Sequence, residues 1–282
     1  MILNMKQLGK YVFLGAMAVG ALFPLFYLVV NSFIGADEFA RYYGGLDRGL
    51  TGHNPLRFIP DWISVEGYRR VFYERPHYLV RFWYSLFLSG AILVGQLVMA
   101  VLGGYAFARY RFPLRHVLFF VIVLIMMMPL QVTLVPNLIV VDALGINGTY
   151  AALIVPGIFS AFGVFLMRQV MSALPNSLFE SARLDGAGSF AALRLVCLPN
   201  CKHGLAALAV LNFAESWNMV EQPLVFLRYA VQYPLAVYLV RPDAARPEVI
   251  FTAGLLSVIP VLAIFLWFKD EIAFGIEYSV VK

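Results

Sequence analysis

The stretch PNSLFESARLDGAGSFAALRLVCLPN, residues 175–200, decides how the rest of the chain is read. It carries Glu180, Arg183, Asp185 and Arg194, yet it lies between two strongly apolar segments in a chain of mean hydropathy +0.80. Locally it spells two short helices. The spacing from Ser177 to Glu180 fits a capping box, in which hydroxyl and carboxylate satisfy the free amides of a first turn. Gly186 and Gly188 are placed to end that helix, because glycine accepts the left-handed backbone of a reversal. Ser189 is placed to cap a second helix through FAALRLV, with Leu198-Pro199 closing it. Such an elbow is either a structured loop and nothing more, or a rigid lever that suits a partner's groove.

Outward from the elbow, the composition points to a bilayer. Of 282 residues, 61% are hydrophobic and only 13% charged, far from the usual soluble balance. A membrane helix needs roughly 20 apolar residues, and windows of that kind fall near 11–33, 83–108, 117–136, 149–168, 204–227 and 251–268. The expected architecture is an all-α membrane protein of six spans forming one transmembrane domain over residues 1–282. Lys and Arg collect on the cytoplasmic side of such proteins. With the amino terminus inside, that side holds Lys6, Lys10, Arg109, Arg111, Arg115, Arg168, Arg183, Arg194, Lys202, Lys269 and Lys282. The external segment 137–148 holds none, and 228–250 holds Arg228, Arg241 and Arg246. Both termini and the segment 175–200 are therefore expected in the cytosol, and the long loop 34–82 outside. The net charge of +5 follows from this topology and makes no case for nucleic acid. Cys197 and Cys201 are too few for a structural zinc site and read as packing residues; no metal site is expected. No phosphate loop ending in Gly-Lys-Ser/Thr occurs, so the chain is not expected to hydrolyse ATP.

Within the external loop, a short helix is expected around 65–74, with Tyr68, Val71 and Phe72 on one face resting on the membrane surface; Phe82, Trp83 and Tyr84 follow as an interfacial belt. In the third span Pro129 is expected to kink the helix, and Gln131 serves as an interhelical hydrogen bond or a ligand. The fifth span is the least apolar. Asn212, Glu215, Asn218 and Gln222 recur at helical spacing and share a face, with Glu221 off it. A carboxylate in mid-span costs roughly 2.5–3.5 kcal/mol unless it meets protein or water. That face is either a polar seam against another helix or the lining of a solute path.

The elbow also resembles the EAA loop of binding-protein-dependent ABC importer permeases, written Glu-Ala-Ala, three residues, Gly, nine residues, Ile-x-Leu-Pro. Glu180, Ala182, Gly186, Leu198 and Pro199 match in register, Val196 stands for the isoleucine, and Ser181 departs by one small residue. RYRFPLR after the second span, MMMPLQVTLVPN in the third, FSAFGVFLMRQVMSALP before the elbow and ESWNMVEQPLVFL after it are similar to carbohydrate-type members. The likeness runs from about residue 60 to the end. It implies a non-catalytic half-channel in a bacterial inner membrane. Its first elbow helix would be the coupling helix, docked in a cytosolic ATPase through Glu180, Ser181, Ala182, Arg183, Asp185, Gly186 and Gly188. It implies as partners a second homologous permease chain, two ATPase subunits carrying ATP and magnesium, an extracytoplasmic solute-binding protein touching 34–82 and 229–250, and membrane lipid. The carboxyl tail is expected to reach the ATPase. A sugar or oligosaccharide is the expected cargo; glycerol phosphate, a polyamine or another small solute keeps the same machine. A scaffold or secondary transporter without an ATPase is the rival of a different class.

Overall fold

The computed structural model of the chain describes residues 5–43, 58–74, 76–240 and 249–280. Residues 44–57 of the long loop, Arg241, Arg246 and Lys282, all invoked above, lie outside them. Regular structure in the described residues is helical throughout. In chain order the helices are α1 Met5–Asn31, α2 Ala36–Tyr43, α3 Glu66–Arg69, α4 Pro76–Arg109, α5 Arg115–Met126, α6 Leu130–Ala143 and α7 Ala151–Gly157. There follow α8 Ala161–Ser172, α9 Asn176–Leu184, α10 Ser189–Ala191, α11 Leu198–Asn200, α12 Lys202–Trp217, α13 Glu221–Phe226, α14 Leu235–Val240 and α15 Ile250–Val280. Wider π turns extend α3 over Arg70–Glu74 and join α10 to α11 over Ala192–Cys197.

Gly9–Asn31, His77–Arg109, Ala151–Ser172 and Ile250–Gly275 are long and apolar enough to cross a bilayer without a sharp bend. Two bent pairs pass the same test, each a broken span or a re-entrant loop: α5 meets α6 at 109°, and Ser189–Asn200, the second arm of the elbow, meets α12 at 79°. If each pair counts as one span the described residues hold up to six, the expected number, but two are not the simple helices the hydropathy suggested. In the third span, Pro129 does more than kink. It takes an extended ψ of 144° as the N-cap of α6, and its ring keeps the preceding residue out of helical geometry, so the span turns a corner. Besides the bend at Cys201 that opens α12, the fifth span breaks again at the polar face itself. Asn218 bonds back to the Ala214 carbonyl through its backbone N–H (3.1 Å) and its Nδ2 (2.9 Å), closing α12. Pro223 then sits in the first turn of α13, where no N–H is required. The expected single helix 204–227 is therefore two.

The elbow forms two helical segments, with different punctuation from the sequence reading. Pro175, extended at ψ 141°, is the N-cap of α9 and no side chain caps it. Ser177 falls inside the first turn rather than before it, so the Ser177–Glu180 capping box does not form. Gly188, not Ser189, precedes the second segment. Pro199 lies within α11 rather than ending the helix; the π turn just before it widens the ladder where proline leaves a carbonyl without its donor.

The described residues divide into two compact units. In Met1–Val80 with Tyr238–Ile259, the Thr252 hydroxyl donates to the Ser32 carbonyl at 3.0 Å and the Tyr78 hydroxyl to the Ala253 carbonyl at 3.0 Å. The Phe251 ring meets Tyr27, Phe39 and Tyr43 at 5.7–5.9 Å between centroids. The short helix packs into this unit through two of the three residues expected on one face. Val71 is buried, and Tyr68 shares a 2.7 Å hydrogen bond with Ser32, leaving Phe72 as the exposed member. Along α1, Tyr11, Phe13, Met17 and Leu22 are exposed, as an apolar solvent permits.

In Arg81–Val237 with Pro260–Lys282, α4 and α8 approach closely. A Cβ on Gly104 would lie 2.6 Å from Met167 Cβ and 2.9 Å from the Arg168 amide nitrogen, and small residues allow such contact between membrane helices. Around it, Ala100, Tyr105, Met167, Met171, Phe179 and Leu193 form a core with the fully buried Cys197 and Cys201.

Candidate functional site

Two features of this second unit carry chemistry: the exposed face of the elbow and a polar cavity beside α12 and α13.

In α9, Phe179 and Ala182 lie three residues apart on one face and are buried, Phe179 within the core. This is the helical spacing that brings side chains together. Glu180, Ser181, Arg183 and Asp185 face away, exposed. With them, Leu184 is 89% exposed and Phe190 on the second segment 71%. The helix ends at Gly186, whose φ is +81°. The Gly186 N–H bonds to the Arg183 carbonyl at 3.0 Å and the Ala187 N–H to the Ala182 carbonyl at 2.9 Å, the paired closure of a Schellman turn. Gly188 has an ordinary φ of −68° and open space where a Cβ would stand. Of the two glycines expected to make the reversal, Gly186 alone supplies the left-handed residue.

A residue the sequence offered only as a topology marker anchors this face. Arg109, the last residue of α4, donates to the carbonyls of Met171 (2.6 Å) and Leu174 (2.9 Å) and to Asn176 Oδ1 (2.8 Å). Its guanidinium also covers the Phe179 ring at 3.8 Å. It thus satisfies carbonyls left over at the end of α8, holds the first residue of α9 and stacks on its buried side chain. A planar five-donor group can do all three at once; a lysine ammonium cannot. Tyr105, one turn earlier on α4, donates to the Ser189 carbonyl at 3.4 Å. The partners of these two residues lie 62 to 84 positions away, so no local signal could have marked this junction.

The cavity, about half open, has a volume of about 790 Å³ and lies between α6, the α7–α8 junction, the end of α12 and α13. Glu215, Asn218 and Gln222 line it; Asn212 does not, being buried with its Nδ2 lacking a partner. Glu221, expected off the polar face, lines the cavity too, because the break after Trp217 reorients everything beyond it. Gln131 makes the interhelical bond, its Nε2 donating to both Glu221 carboxylate oxygens at 3.0 and 3.1 Å. Gln96, Thr133, Asn137 and Ser160 add polar groups from α4, α6 and the start of α8. Ser160 also caps α8, its Oγ accepting from the Gly163 N–H at 3.0 Å.

Residues 97–277 match the family described as the binding-protein-dependent transport system inner membrane component. The arabinooligosaccharides transport system permease protein AraQ of Halalkalibacterium halodurans is 29% identical over 265 residues, 93% of this chain and 91% of that protein. The sn-glycerol-3-phosphate transport system permease protein UgpE of Brucella melitensis is 31% identical over 261 residues, 87% and 88% of the two. In fold, the chain is similar to one in the crystal structure of a bacterial ABC transporter involved in the import of the acidic polysaccharide alginate. The TM-score is 0.77 at 24% identity, over 94% of this chain and 96% of that one.

Proposed function

Given that this chain belongs to the family of binding-protein-dependent transport system inner membrane components, we propose that it is the permease subunit of an ATP-driven importer for sugars or oligosaccharides. It is a multi-pass membrane protein, placed by this reading in a bacterial inner membrane with both termini in the cytosol. Its elbow docks on a cytosolic ATPase that binds ATP and magnesium, two such subunits serving a pair of homologous permease chains. An extracytoplasmic solute-binding protein delivers cargo, and the chain performs no bond chemistry.

One observation supports the docking most directly: the outward face of α9 mixes Glu180, Arg183 and Asp185 with the exposed Leu178 and Leu184, on a base clamped by Arg109. Exposed apolar groups framed by charge suit a partner's groove, and Glu180 is placed for a charge-assisted contact. A lever transmits a stroke only if its two docked states differ in free energy and it does not melt between them; the Schellman turn and the Arg109 clamp meet the second condition.

Glu180→Lys in the complete complex is the test. Loss of a charge-assisted hydrogen bond, about 1.5–3 kcal/mol, would lower ATPase docking and ATP-dependent uptake roughly ten- to a hundredfold. Unchanged docking and uptake, or uptake that persists without ATP, would favour a scaffold or secondary transporter. The similarity to UgpE keeps glycerol phosphate as a second candidate cargo.

A further inference from the structure

The cavity is uneven in charge. Two carboxylates, Glu215 and Glu221, line it, and among the described residues no Lys, Arg or His does. A second feature has the same polarity: Gln96, nine-tenths buried on α4 and part of the lining, has a buried Oε1 without a hydrogen-bond partner. A buried acceptor of this kind wants a donor. Gln131 already donates to Glu221 from outside the lining, which holds that carboxylate in place while leaving it further lone pairs. Phe159, Phe162 and Phe226 supply apolar wall between the polar groups.

We propose that this cavity selects cargo by charge, accepting solutes that donate hydrogen bonds and excluding anionic ones. The inference rests on the importer reading and narrows it to an uncharged, hydroxyl-bearing saccharide rather than a phosphate ester or uronate. A phosphoryl or carboxylate group entering here finds two like charges and no countercharge in the lining, and like charges repel. A hydroxyl-rich solute offers donors to the Glu215 and Glu221 carboxylates that line the cavity. The two relatives named above differ in just this property, one transporting arabinooligosaccharides and the other sn-glycerol-3-phosphate.

The test places a probe in the cavity without asking for transport. Asn137→Cys introduces a thiol on its α6 wall, while the native Cys197 and Cys201 are fully buried, and the parent chain supplies the background. In the complete complex, methanethiosulfonates bearing either a trimethylammonium or a sulfonate group are reacted with it. The cation-to-anion rate ratio should exceed that of a free thiol by about tenfold or more, and Glu215→Gln with Glu221→Gln should return it to within about twofold. These replacements keep shape, and the amide oxygen that Glu221→Gln introduces can still accept from Gln131. A ratio equal to that of the free thiol overturns the proposal. Uptake in proteoliposomes supplies the second arm, with a labelled neutral oligosaccharide, glycerol phosphate and a diamine. ATP-dependent import of the oligosaccharide at least about tenfold faster than glycerol phosphate supports charge selection; equal rates overturn it. Import of the diamine instead overturns the hydroxyl assignment and supports exclusion of anions. ATP-independent uptake with the reagent ratio intact sinks the importer reading and supports the selection.

Discussion

Gly186 and Arg109 sit at the two ends of the same problem: holding an exposed helix rigid against a membrane bundle. Gly186 turns the chain with φ +81° in open space, so a side chain there meets no clash and pays only for the left-handed backbone. Gly186→Ala should cost about 1–2 kcal/mol and reduce uptake in the reconstituted complex, whereas Gly188→Ala should leave thermal stability and uptake near those of the parent. Arg109→Lys keeps the charge but loses the fork that reaches Met171, Leu174 and Asn176 together. It should destabilise by about 1–3 kcal/mol and lower solute imported per ATP hydrolysed, both measured on the purified complex. The glycine was legible because a left-handed turn after a helix is a local event. The arginine's role was not, since its partners are more than sixty residues downstream.

Apolar windows located the membrane elements, yet proline and asparagine decided their shapes. Hydropathy counts transfer energy and is blind to direction; a span that turns through 109° at Pro129 has the same composition as a straight one. The polar face of the fifth span was sought at helical spacing, but Asn218 closes α12 and the remainder restarts at Glu221. That restart explains why Glu221 joined Glu215 at the cavity, while Asn212, upstream of the break, is buried within the bundle. Two changes probe element packing. Ser160→Ala removes the side-chain acceptor for the Gly163 N–H and should cost about 1 kcal/mol, read as a lower unfolding temperature in detergent. Gly104→Leu drives a side chain against the backbone of α8. Overpacking typically costs about 1–3 kcal/mol; here the obstacle includes main-chain atoms, so poor recovery of folded protein is the expected outcome.

For the molecule as a whole, the importer reading predicts company. Affinity purification of the tagged chain should recover a second permease, an ATPase and a solute-binding protein. Glu180→Cys should cross-link to the ATPase in the intact assembly, identified by mass spectrometry. Recovery of the chain with no ATPase attached would remove the basis for a coupling role. The solvent, the helical class and the two-segment elbow could all be read along the chain, because each follows from composition or from residues within a turn or two of one another. Tertiary structure alone decided which polar groups meet: Arg109 with the ends of α8 and α9, Gln131 with Glu221, and two carboxylates with the buried Gln96 around one cavity. Those meetings depend on where bent helices bring residues more than sixty positions apart. A one-dimensional pattern encodes how apolar a segment is, but not the angle at which a proline sends it onward.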